Sequence, residues 1–261
     1  MIDVIQLPIA EGINAGLDWL TATISPVTEA ISAGMETGIE ALVTVLLIVP
    51  PVIFMLIAAI LVVLFADLKL GIFTLAGFFL IWSMELWEPM MSTIALILIS
   101  TLIAVAGGVP LGIVAGLSDS FHSFITPILD FMQTMPAFVY LIPAIPFFGL
   151  GPVAAIFATV IFSVPPSIRL TALGIRQVNP ELIEASDAFG SRTGQKLVQI
   201  QLPLATSTIM AGINQTIMLA LSMVVIAAMI GAGGLGGEVW RAIQRLRPGA
   251  GFEAGIAVVI V

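Results

Sequence analysis

Cysteine is absent from this 261-residue chain, which excludes disulfides and thiol chemistry. Histidine occurs once, at His122, so a histidine-built metal site is excluded as well. Charge is scarce: 9% of residues are Asp, Glu, Lys or Arg, where a soluble domain carries roughly 25%. Eight basic residues face sixteen acidic ones, and none of the eight precedes Lys69. With a net charge of −8 and no basic stripe, a nucleic-acid partner is excluded. No G-x-x-x-x-G-K-[ST] run occurs, so the chain has no P-loop with which to hold ATP. The N-terminus lacks the basic region of a cleavable signal peptide, which leaves targeting to the apolar segments themselves.

What fills the chain instead is hydrocarbon. Hydrophobic residues make up 59% and mean hydropathy is +1.18, so lipid must be the main solvent. The expectation is an all-α polytopic membrane protein of about seven transmembrane helices. Apolar stretches fall at 41–66 (bent at Pro50-Pro51), 70–84, 91–117, 127–148, 152–168, 204–231 and from Phe252 onward, where the last helix is expected to be incomplete. Trp82 and Trp87 suit an interfacial belt at the end of the second stretch. Residues 118–126 are expected to be a short polar loop, and 169–203 a long one. The expected organisation is thus an amphipathic extension over 1–40, two transmembrane helices over 41–90, and a core domain over 91–261.

Lys/Arg bias sets orientation. Arg169, Arg176, Arg192 and Lys196 place 169–203 in the cytoplasm. Counting spans outward puts Lys69 inside and residues 1–40, with six carboxylates and no cation, outside. One loop disagrees: 232–250 falls outside yet carries Arg241, Arg245 and Arg247. Lipid phosphates or the carboxylates of a docking receptor would each compensate them. In 91–117, Gly108, Gly112 and Gly116 recur every four residues, a stripe that lets another helix backbone approach.

The most informative segment is NPELIEASDAFGSRTGQKLVQIQLP, 179–203. Asn179 is a good N-cap, Pro180 fits the first helical position, and Glu181 and Glu184 favour the positive helix end. Gly190 serves as the stop. Leu182, Ala185 and Phe189 share one face of this short helix. Helices that lie on lipid are rich in Lys and Arg; this one is acidic, which favours docking into a partner's groove. His122, Asp119 and Ser120 lie too close along the chain to form a catalytic triad. Asn214-Gln215-Thr216 matches a glycosylation triplet but sits inside an apolar stretch.

Glu184-Ala185-Ser186, three residues, Gly190, nine residues, then Ile200, Leu202 and Pro203 resemble the EAA signature of ABC-importer permeases, with Ser186 in place of the second alanine. The runs ILDFMQTMPAFVYLIPAIPFFGLG (128–151), LGIRQV (173–178) and INQTIMLALSMVVIAAMIGAGGLG (213–236) resemble the glycine betaine/proline betaine permeases of that family, over roughly residues 90–261. The resemblance implies a type I ABC-importer permease fold. It implies that Glu181, Leu182, Glu184, Ala185, Ser186, Phe189, Gly190 and Pro203 belong to a coupling helix and its flank, seated in an ATPase cleft. It also implies two ATPase subunits that carry ATP and Mg, a second copy of the permease, and an extracellular substrate-binding protein, free or fused. No cofactor or metal is expected in this chain.

Polar groups at membrane depth mark a path. Asp130, Gln133, Thr134 and Met135 lie early in the proline-broken stretch, and Asn214, Gln215 and Ser222 in 204–231. The expected function is ATP-driven import of a quaternary ammonium osmoprotectant across the cell membrane by alternating access. Another small solute, such as an amino acid, and an ATP-independent secondary transporter are the alternatives. The second needs paired broken helices, and only one broken stretch occurs.

Overall fold

A computed structural model describes residues 9–261. Every regular element among them is helical. The order is α1 (Ile9–Ile48), α2 (Pro51–Phe65), α3 (Leu68–Ser83), α4 (Trp87–Leu117), α5 (Asp119–Thr134), α6 (Leu141–Phe148), α7 (Pro152–Arg176), α8 (Pro180–Ala188), α9 (Thr193–Lys196), α10 (Leu202–Ala227), α11 (Gly234–Gln244) and α12 (Pro248–Ile260). A π turn over Leu197–Gln201 joins α9 to α10.

Four stretches are long and apolar enough to cross a membrane: Glu11–Ile48, Trp87–Leu117, Pro152–Arg176 and Thr193–Ile230. The bent pair Asp119–Thr134 and Ala137–Phe148 makes a fifth. Helices α2, α3 and α12 are apolar but shorter. At 15 and 16 residues, α2 and α3 reach about 22–24 Å, short of a roughly 30 Å hydrocarbon layer.

Several expected boundaries move. Residues 41–66 are not one bent helix: α1 runs on to Ile48 and α2 starts afresh at Pro51, because a Pro-Pro pair removes two amide donors. Residues 118–126 are not a loop; Ser118 caps α5 by accepting from the Phe121 amide, and the helix runs from Asp119. Likewise α7 continues past 168 to Arg176, so the non-helical part of the 169–203 segment is much shorter than the sequence implied. Both extensions have one cause. Arg169 pairs with Asp130 and Arg176 with Asp119, so the charges that look like loop signals in sequence neutralise one another across α5 and α7.

The core is a three-helix stack, with α7 packed along α4 on one side and α10 on the other. The α4–α7 approach depends on the glycine stripe. A Cβ on Gly108 would stand 2.7 Å from Ser167 Cβ, one on Gly112 2.6 Å from Thr171 Cβ, and one on Gly116 2.8 Å from Ile175 Cβ. Residues spaced by four on each helix therefore interlock, and the two helices run parallel. At the end of this stack away from α8, Leu96, Tyr140, Leu141, Ala144, Val153, Ala154, Ala155, Ile156, Met223 and Ala227 form the larger buried cluster, against which the last third of α1 packs through Met35, Ile39 and Val43. The α2–α3 hairpin is fastened beside it by Phe54, Phe78 and Trp87, whose rings meet at 5.5–6.5 Å, and by Met90, Met91 and Leu235.

The stripe yields a stability test. In Gly112→Ala the added methyl meets Thr171 Cβ and the Ile168 carbonyl at 2.7 Å or less, so α4 and α7 must part. Overpacking of this kind costs about 1–3 kcal/mol. The thermal midpoint of the detergent-purified protein should fall by several degrees. Gly107→Ala, on the open side of the same helix, should leave it unchanged or raise it slightly.

Candidate functional site

Three groups of residues are the candidates for the site, and the stack α4–α7–α10 sets their relative positions. The first is the α8 segment, which projects between the ends of α7 and α10. Its boundaries follow from local chemistry. The Asn179 side chain accepts from the Glu181 amide at 2.9 Å, and Pro180 opens the helix. At the other end Gly190 takes φ +78°, its amide donates to the Asp187 carbonyl at 2.9 Å, and the Ser191 amide donates to the Ser186 carbonyl at 3.1 Å. Those two bonds are a Schellman stop, which needs a left-handed residue in the Gly190 position. Lys196 pairs with Asp187 at 2.6 Å and ties α8 to α9. Leu182, Ala185 and Phe189 are all exposed, Phe189 to 92%, while Ser186 is buried beneath the helix. Glu181 and Glu184 are exposed beside them. An acidic helix that turns an unpartnered apolar face outward, clear of the bundle, is shaped to be covered by another molecule. Pro203 sits one turn beyond, at the start of α10. The π turn before it, closed by the Leu202 amide on the Leu197 carbonyl, widens the helix where the proline ring would otherwise meet the carbonyl four residues back.

The second group lies in the middle of the bundle. Helix α5 ends at Thr134, Met135 and Pro136 are extended, and α6 leaves after a one-turn 3-10 segment, Ala137–Tyr140. The helix direction bends by 111° between the two arms. Gln133 and Thr134 are exposed at the tip of α5, and Met135 is half-buried against the larger core cluster. On α10, Asn214, Met218 and Ser222 recur every four residues and are all exposed, with Asn214 Nδ2 3.9 Å from Met218 Sδ; Gln215 is exposed beside them. Asp130, one turn before this group, is exposed and pairs with Arg169, and a cavity of ≈ 490 Å³ lined by His122, Thr126, Arg169 and Arg176 separates α5 from α7 there. Sequence reasoning missed both ion pairs, since nothing local announces a partner 39 or 57 positions away.

The third group is a small cleft between α11 and α12, at the end of the bundle away from α8, lined by Leu86, Glu238, Arg241, Arg245, Arg247 and Glu253. Arg241 pairs with Glu238 one turn earlier. Among the described residues neither Arg245 nor Arg247 has a carboxylate within ion-pair reach. Arg241 and Arg245 lie one turn apart, the Arg245 amide donating to the Arg241 carbonyl at 3.0 Å, and both line this cleft; the helix ends there, since Leu246 turns left-handed at φ +51°. A further cavity, ≈ 890 Å³, is an open groove between α11 and α12 whose wall is almost wholly hydrocarbon, as a lipid-facing surface should be. No group of three or more His, Cys, Asp or Glu is placed to hold a metal among the described residues.

Known proteins resemble this chain in sequence and in fold. The family profile described as "Binding-protein-dependent transport system inner membrane component" matches residues 108–261. The glycine betaine transport system permease protein OpuAB of Bacillus subtilis is 51% identical over 256 residues, 98% of this chain and 91% of that one. The glycine betaine/carnitine transport permease protein GbuB of Listeria monocytogenes is 60% identical over 190 residues, 73% of this chain and 67% of that one. In shape, a chain from inward facing conformations of the MetNI methionine ABC transporter superposes with TM-score 0.56 at 19% identity, over 67% of this chain and 96% of that one, so it shares the fold.

The stop of α8 gives the site's test. In Gly190→Val a β-branched residue must take the left-handed conformation, which costs about 1–3 kcal/mol and unwinds the last turn beneath Phe189. Transport should be lost while the protein remains in the membrane at parental levels. Gly194→Ala, with open space around it, should transport as the parent does.

Proposed function

Because this chain belongs to the family of binding-protein-dependent transport system inner membrane components, we propose that it moves glycine betaine, or a related quaternary ammonium osmoprotectant, through the membrane by alternating access. It is a permease subunit of an ABC importer, a multi-pass membrane protein, and not itself an enzyme; ATP hydrolysis belongs to a separate ATPase. The observation that carries the reading is α8: a capped, acidic helix with an exposed apolar face, held on the bundle where the spans α7 and α10 meet.

The mechanism follows from the bundle's connections. Two ATPase subunits that close around ATP and Mg draw on α8, whose apolar face sits in their cleft. The pull crosses the short break after α8, which the Lys196–Asp187 pair bridges, and enters α9, the π turn and α10, a single helical run from 193 to 230. Asn214, Gln215 and Ser222 on that run are polar groups that lipid would not accept uncovered. A second copy of the permease, with its own α10 and its own α5 tip, would enclose them and create the route between the two. Gln133, Thr134 and Met135 border the same route from α5.

The α8 end is cytoplasmic by its cations, Arg169, Arg176, Arg192 and Lys196. That sets the α11–α12 cleft and the last third of α1 outside. The five carboxylates of α1 within the described residues, Glu11, Asp18, Glu29, Glu36 and Glu40, are all exposed, which suits a helix lying on the external face and not one crossing hydrocarbon. Arg245 and Arg247, without carboxylate partners, suit a substrate-binding protein that docks through its own carboxylates. Such rim charges act chiefly on association.

Uptake of labelled glycine betaine into vesicles that hold the reconstituted complex should require ATP on the α8 side and the binding protein on the other. Uptake without ATP, driven by an ion gradient alone, sinks the reading. In the same assay, replacing Arg245 and Arg247 with Glu should raise the binding-protein concentration for half-maximal uptake about tenfold and flatten its salt dependence. Basal ATP hydrolysis should stay at the parental rate. An unchanged requirement for binding protein means that these arginines meet lipid phosphates and the receptor docks elsewhere.

A further inference from the structure

A proline inside a helical stretch leaves one carbonyl orphaned, four residues back, because its nitrogen carries no hydrogen. In an apolar layer that carbonyl finds no water. The chain contains several such prolines, among them Pro110, Pro127, Pro165 and Pro166, while Pro136 instead ends α5, holding Met135 extended and leaving the carbonyl four residues back without an amide. Their orphaned carbonyls are those of Ala106, Ser123, Met132, Ile161 and Phe162. Among the described residues, only that of Met132 receives a side-chain donor, and the donor is the hydroxyl of Tyr140, the one tyrosine in the chain. Tyr140 is 4% exposed and its ring is held edge-on against Phe162 of α7 at 5.7 Å. Phe162 lies near the middle of α7, so the bend stands well inside the bundle. The neighbouring carbonyl, that of Phe131, is covered by the Thr134 hydroxyl at 2.9 Å.

These contacts close a loop around the break. Met132 is in the last turn of α5, Pro136 is the break, and Tyr140 ends the 3-10 turn beyond it. A bond from Tyr140 back to Met132 spans the whole corner, and the ring's other side is keyed to α7. We propose that Tyr140 is a positioning residue for transport: its hydroxyl gives Met132 the hydrogen bond that is lost where Pro136 ends α5, fixes the 111° bend, and so sets where Gln133 and Thr134 stand. The inference rests on the reading of Gln133–Met135 as bordering the route. Tyr140 itself is turned into the core and touches no cargo.

The test is a double-mutant cycle. Tyr140→Phe keeps the ring and its packing and removes only the donor. In the parental background it should lower betaine uptake on the order of tenfold, with the amount in the membrane and the ATP requirement unchanged. Pro136→Ala restores a backbone N–H four residues after Met132. In that background Tyr140→Phe should change uptake less than about twofold, because without the proline α5 can run on through Met135 and the alanine amide then takes the carbonyl. A harmless Tyr140→Phe in the parent, or an equal loss in both backgrounds, overturns the proposal. The second readout uses the absence of native cysteine. Gln133→Cys should react with a water-soluble maleimide, and adding Tyr140→Phe should shift that rate severalfold in the parent but not beside Pro136→Ala. This arm decides the matter if Pro136→Ala alone stops uptake. An unreactive Gln133→Cys in every background refutes the route reading, while the uptake cycle still decides the role of Tyr140.

Discussion

Everything in this bundle is measured from the contact between α4 and α7. Three glycines spaced by four let the two backbones close until Ser167, Thr171 and Ile175 fill the places their side chains would occupy. Without a hydrophobic drive between helices in lipid, such close approach is what holds a membrane bundle together. It also fixes register, since a slip of one residue would drive a Cβ into a backbone. Helix α10 docks on the opposite side of α7 by the same device in weaker form, Gly174 against Ala205 and Thr208, and Gly212 against the Pro166 carbonyl and Leu170. The two ends of the molecule are thereby set at a fixed distance: α8 at one, the α11 turn at the other, where the Leu235 amide donates to Thr93 of α4 at 2.8 Å.

Against that rigid stack, the parts for which roles are proposed are the ones attached by few bonds. Helix α8 is held by a cap, a Schellman stop and one ion pair. Helix α5 touches α7 through an ion pair at each end and is hollow between. Exposed ion pairs of this kind are worth little each and can exchange partners. The division suits a machine whose core must keep its shape while its coupling element and its bent helix move.

The sequence made some of this legible and hid the rest for a physical reason. The ends of α8 were readable because caps are local: Asn179, Pro180 and Gly190 do their work within a few residues of where they stand. The glycine stripe was readable because its spacing matches a helix. The amphipathic character of the N-terminal extension was readable too, though not that it is one helix running on to Ile48: Ile13, Leu17, Leu20, Ile24, Val27 and Ile31 repeat at helical spacing opposite Glu11, Asp18, Glu29 and Glu36. By contrast, Arg169, Arg176 and Asp119 looked like loop residues because their partners are distant in sequence. Tyr140 gave no local sign at all: its role exists only where the chain folds back on an orphaned carbonyl.

The central claim is that α8 is where this chain meets its ATPase, and one measurement bears on it most directly. Phe189→Cys, placed in a chain with no other thiol and carrying a short photoreactive maleimide, should cross-link to the ATPase subunit in membranes that contain the whole complex. The yield should change when ATP is trapped. A cross-link to lipid or to a second permease alone, with no ATPase adduct in any nucleotide state, contradicts the account.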